Sequence, residues 1–157
     1  MKNIGLFIII GLLFFSCKQH SEHRDDDHGN KHVVAFADSV KDGVFIHISQ
    51  GFNDPHRVLM AMKMASLMAN DKDVLIYMDI HSVKLLVKDA KDLTFEGFDS
   101  FQTYVKQLID NKVVICVCPT CLKVAGFKVD DLIDGVQLAK KDKFFNFTKG
   151  RIITFDY

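Results

Sequence analysis

The run Val113-Val114-Ile115-Cys116-Val117-Cys118-Pro119-Thr120-Cys121 decides how this chain is read. A short apolar run closed by proline predicts a buried β-strand, because proline lacks the backbone donor that a central strand needs. Alternation along that strand puts Cys116 and Cys118 on one face and Val117 on the other. Cys118 falls at the strand's carboxyl end, where open α/β sheets present their ligand sites. Cys121 follows in the first turn of a predicted short helix, whose positive end favours a thiolate. Three cysteines within six residues therefore aim sulfur chemistry at one place.

Upstream, Gly43 to Ser49 reads as a strand rich in β-branched and aromatic residues. The turn Gln50-Gly51-Phe52-Asn53 leads to Asp54-Pro55, an N-cap followed by proline at the first helical position. The predicted helix runs to about Asn70 and is apolar nearly all round from Val58 to Ala69, with Lys63 and Ser66 as the interruptions. Such a helix is buried on more than one side, which points to a homo-oligomer. Met60, Met64 and Met68 share one face of it, as core packing or as soft thioether ligands. His56 and Arg57 stand near its N-terminus, His56 as a surface residue or as part of an anion site.

Val74 to Met78 predicts a second buried strand, ending at Asp79-Ile80-His81-Ser82, with Ser82 as the cap of a short segment to Val87. His81 thus lies at a strand's carboxyl end, as Cys118 does, and is a candidate base for a thiol. His47, inside the first strand, reads as a core or interface residue. A loop over 88–97 precedes a helix from Ser100 to Asn111, whose Phe101, Tyr104, Val105, Leu108 and Ile109 follow helical spacing. Beyond the cysteines come a helical turn over Asp130–Ile133, a short strand over Val136–Leu138 and a last strand over Arg151–Tyr157. Alternating strands and helices predict an α/β fold: a single domain with an about five-stranded, mostly parallel sheet and helices on both faces.

The N-terminus bears on location. Lys2 precedes the apolar stretch Ile4 to Phe15, shorter than the ~20 residues of a membrane span, and Ser16-Cys17 follows. This resembles a bacterial lipoprotein signal, with Phe14 and Phe15 departing from the usual residues. It implies a signal peptide over 1–16, a lipid on Cys17 and an exported protein anchored to a membrane, facing the periplasm or the cell exterior. Residues 17–42 form a polar tether and 43–157 the domain. His20, His23, His28 and His32 bring four imidazoles together among Glu22, Asp25, Asp26 and Asp27, as a solvated spacer or a copper- or zinc-collecting arm.

Twenty basic and twenty acidic residues leave no net positive field, so the chain is not expected to bind nucleic acid. There is no phosphate loop, no HExxH and no Ser/His/Asp triad signature to support nucleotide binding or hydrolysis.

Taken in order, the opening strand into Asp54-Pro55, the apolar helix, the passage Val114 to Lys123, Gly126 and Asp131-Leu132-Ile133-Asp134-Gly135-Val136 resemble the DsrE/DsrF-like family of small α/β sulfur-handling proteins. The likeness covers Val44 to Tyr157. It implies a five-stranded sheet, homo-oligomers such as trimers or hexamers and, in some members, a cysteine that carries sulfur as a persulfide between a donor and an acceptor protein. Matched to that strand-end motif are Cys118 and Cys121, with Cys116 beside them and His81 as helper. Which cysteine is the carrier stays open; Cys121 has the helix start in its favour. Three other readings stand beside this one. The first is copper or zinc binding by Cys116, Cys118 and Cys121 with Met60 or His81. The second is thiol–disulfide exchange through the CxxC, and the third a non-catalytic assembly module with a structural Cys118–Cys121 disulfide.

Overall fold

The computed structural model describes residues 40–157. Five strands form one sheet in the order β4-β3-β2-β1-β5, every neighbouring pair parallel. They are β1 (Gly43–Ile48), β2 (Asp73–Met78), β3 (Val114–Val117), β4 (Gln137–Leu138) and β5 (Ile152–Asp156). The helices are α1 (Pro55–Met68), α2 (Phe101–Asp110), α3 (Pro119–Val124) and α4 (Lys143–Asn146), with single 3-10 turns at Ser82–Leu85 and Val129–Asp131.

Alternation divides the sheet's two faces. Val44, Ile46 and Ile48 of β1, Val74, Ile76 and Met78 of β2, and Ile115 and Val117 of β3 point into the main core. Against them lie Val58, Leu59, Ala61, Met62 and Ala65 of α1 and Phe101, Tyr104, Val105 and Leu108 of α2. Both helices begin as the sequence directs. Asp54 accepts the Arg57 N–H ahead of Pro55, and Ser100 accepts the Thr103 N–H, caps of about 1 kcal/mol each. The opposite face carries Phe45, Tyr77 and Cys116 and is covered in part by α4, whose Phe144 meets Phe45 and Tyr77 edge-on at 5.7 and 5.2 Å.

The structure differs from the sequence reading in detail. Helix α1 ends at Met68, two residues short of Asn70. It leaves Met60 and Leu67 exposed, so these outward apolar residues lie uncovered among the described residues. Ser82 does not cap the following turn, whose N-cap is His81. Its buried hydroxyl instead stands 2.7 Å from the carbonyls of both Ile48 and Asp79, tying β1 to β2 at their carboxyl ends. Helix α4 had no signal strong enough to predict it, being one turn long. None of the described helices is long and apolar enough to cross a membrane. The signal peptide, Cys17 and the histidine arm lie outside the described residues.

Candidate functional site

Parallel register places one residue from each strand in a single row across the half-covered face: Gln137, Cys116, Tyr77, His47 and Asp156. At the carboxyl end of that row the chain leaves β3 through Cys118 and enters α3. The extended backbone of Cys118 (φ −62°, ψ 118°) makes it the N-cap, and Pro119 occupies the first helical position, where no donor is required. A cap usually offers oxygen; here the Cys118 sulfur accepts the backbone N–H of Cys121 at 3.3 Å.

That geometry makes the two thiols unequal. Burial pushes Cys118 up, but hydrogen bonds from the Cys121 side chain and backbone, the Tyr77 hydroxyl and the Thr120 N–H outweigh it and bring its pKa below that of an ordinary thiol. Cys121 moves the other way. Its thiol is engaged with the Cys118 sulfur, and burial and the negative charge of Asp79 add to the rise, against an opposing hydrogen bond from the Ile80 backbone. The expectation that the helix start would favour a thiolate at Cys121 is thus reversed: α3 is only six residues long, and its free N–H is aimed at Cys118. Cys116 is fully buried in β3, which raises its pKa and leaves it an inert apolar residue beside the site.

Tyr77 and His47 form the wall beside Cys118. Their rings stack at 5.5 Å, and burial together with the neighbouring Cys118 raises the tyrosine pKa, so its hydroxyl stays a donor. His47 stands between two carboxylates, Nε2 2.9 Å from Asp79 and Nδ1 2.7 Å from Asp156. Asp79 opens the turn that follows β2, and Ile80 next to it holds φ +47°, a left-handed conformation unfavourable for a β-branched side chain. Such strain, in a half-exposed residue whose N–H serves a thiol, marks a place where the surrounding structure dictates the backbone. Gly51 belongs to the same arrangement: a Cβ there would come within 2.7 Å of the His81 carbonyl.

His81 reaches the site from the side. With Ile80, Lys84, Thr120, Cys121 and Val124 it lines an open depression of about 360 Å³. The structure therefore brings His81 and Cys121 to one hollow. The metal set is not assembled: no group of three or more His, Cys, Asp or Glu side chains among the described residues is placed to hold an ion. Cys116 is sealed in the sheet, and Met60 belongs to α1, which packs on the opposite face. The sequence reading missed Tyr77, His47 and Asp79. The available signal was period two, which places Phe45, His47, Tyr77 and Asp79 on the face away from the core.

Comparisons with known proteins place the fold. The family model for the DsrE/DsrF-like family matches residues 42–155, and the chain belongs to that family. Two solved structures share the fold. The ychN protein from E. coli matches at 19% identity with a TM-score of 0.54, over 73% of this chain and 99% of its own. A protein of unknown function, MTH1491 from Methanobacterium thermoautotrophicum, matches at 21% identity with a TM-score of 0.50, also over 73% and 99%. No curated protein matches the chain.

Proposed function

We propose that this protein carries sulfane sulfur as a persulfide on Cys118, with Cys121 as the resolving thiol. The observation that carries the reading is the Cys121 N–H on the Cys118 sulfur, which supports a thiolate at a half-exposed strand end. In loading, the Cys118 thiolate attacks the outer sulfur of a donor persulfide; the donor S–S bond breaks and the donor leaves as a thiolate. In delivery, an acceptor thiolate attacks the outer sulfur of the Cys118 persulfide and Cys118 departs as a thiolate. Neither step is a net oxidation. Should Cys121 attack the inner sulfur instead, hydrosulfide leaves, a Cys118–Cys121 disulfide forms, and a dithiol reductant must reopen it.

The test is mass spectrometry after exposure to a small-molecule persulfide donor. Wild type should gain about 32 Da per sulfur, reversible by reductant, and Cys118→Ser should not. Loading that survives Cys118→Ser would overturn the assignment.

The setting belongs to the same proposal. The Ile4–Phe15 stretch and Ser16-Cys17 support an exported protein held to a membrane by lipid on Cys17. The uncovered Met60 and Leu67 of α1 support a homo-oligomer built on that helix.

A further inference from the structure

A large cavity lies at the other pole of the sheet. About 750 Å³ in volume, it opens at the amino ends of β2 and β3, beneath the segment that carries α4. Its floor is apolar, from Ala69, Val74, Val113 and Phe147. Its rim is basic. Lys41, Lys72, Lys112, Lys140 and Lys143 come to it from four separate stretches of chain, against the carboxylates of Asp73 and Asp142. Among the described residues, Lys41, Lys112, Lys140 and Lys143 have no carboxylate within ion-pairing distance, while Lys72 pairs with Asp71 outside the cavity. In a chain of zero formal charge, five of the twenty lysines and arginines thus line one cavity.

Lys41 stands where the chain enters the domain, only 24 residues after Cys17. Lys41 itself lines the cavity, so the chain enters the domain at the pole that bears the lysines. Five ammonium groups over an apolar floor suit an anionic phospholipid surface, where each lysine adds to the attraction within a Debye length. We infer that the lysine-rimmed cavity at the amino end of the sheet docks on anionic phospholipid headgroups and turns Cys118, at the carboxyl end of β3, away from the membrane. The thiols then face soluble partners, and orientation comes from the domain itself as well as from its tether.

The test uses the chain from Lys18 onward, which keeps the tether and the complete domain but carries no lipid. It is sedimented with vesicles of phosphatidylglycerol mixed into phosphatidylcholine, and with phosphatidylcholine alone. The expected result is binding to the anionic vesicles only, weakened as salt rises. Lys112→Glu with Lys140→Glu should lower it at least tenfold. Lys123→Glu with Lys128→Glu, an equal change of net charge on exposed residues near the other pole, should leave it within about twofold. Equal loss in both pairs would reduce the effect to net charge and overturn the site. Protection of the cavity lysines by inorganic phosphate without vesicle binding would assign it to a soluble anion and overturn the membrane surface as occupant. Binding that emerges only after Asp25, Asp26 and Asp27 are all changed to Asn would give the cavity to the chain's own tether, with the same consequence.

Discussion

The Cys118 sulfur accepts the backbone N–H of Cys121 at 3.3 Å, so one half of the CxxC uses the other's backbone to stabilise its own negative charge. The motif is consequently not a symmetric dithiol. Cys118 is the more readily ionised of the two thiols, and Cys121 holds its proton longer.

Alkylation should expose the difference. Because the Cys118 pKa lies below the ordinary thiol value and that of Cys121 above it, lowering the pH toward neutrality silences Cys121 first. Iodoacetamide at pH 7 should label Cys118, and Cys121 should follow only as the pH rises. Peptide mapping across pH 6–10 reads both; equal labelling at pH 7 would contradict the assignment.

Tyr77→Phe keeps the ring stacked on His47 and removes the hydroxyl beside Cys118. Losing that hydrogen bond to a charged sulfur should raise the Cys118 pKa. The alkylation rate at pH 7 should fall several-fold, with the rate at pH 10 unchanged.

His47→Phe preserves stacking on Tyr77 but strips Asp79 of its partner. Asp79 is mostly buried, and leaving it unpaired should destabilise the fold by about 1–3 kcal/mol. Asp156, exposed on the edge strand, should tolerate Asp156→Asn with under about 1 kcal/mol lost. Urea midpoints of the two variants measure the contrast.

Ile80→Gly should stabilise the protein by about 1 kcal/mol, since glycine takes a positive φ freely and the isoleucine side chain is half exposed. The same change should loosen the Ile80 N–H from Cys121 and raise the pKa of that thiol further. A variant that melts earlier than wild type would show that Ile80 packs in a way its exposure does not convey.

These particulars also show where the sequence spoke clearly. Each of β1 to β3 is an apolar run, and α1 announces itself through Asp54-Pro55, so the parallel sheet and its core face were legible. The strand-end position of Cys118 followed from Pro119. Which thiol is activated was not legible, because a helix dipole argument needs helix length, and the first N–H groups of the six-residue α3 are turned to Cys118. The wall of Tyr77, His47 and Asp79 was hidden for another reason: inter-strand register, which brings Tyr77 level with Cys116 and His47 level with Asp156, is a long-range property. Ser82 misled because a serine before an apolar segment has the form of a cap, whereas here the hydroxyl binds two carbonyls.

The oligomer proposal has its own check. Leu67 is the most exposed apolar residue of α1, and Leu67→Glu would put a charge into any dry contact there. Light scattering should show wild type as a multimer and the variant as a smaller species; a monomeric wild type would remove α1 as a contact.

The most direct test of the central claim is intact mass spectrometry of the domain after brief exposure to a persulfide donor, with wild type, Cys118→Ser and Cys121→Ser compared. The account predicts a reductant-sensitive gain of about 32 Da on Cys118 in wild type, a longer-lived adduct in Cys121→Ser and none in Cys118→Ser. An adduct on Cys121 that persists in Cys118→Ser, or none in any of the three, would contradict it.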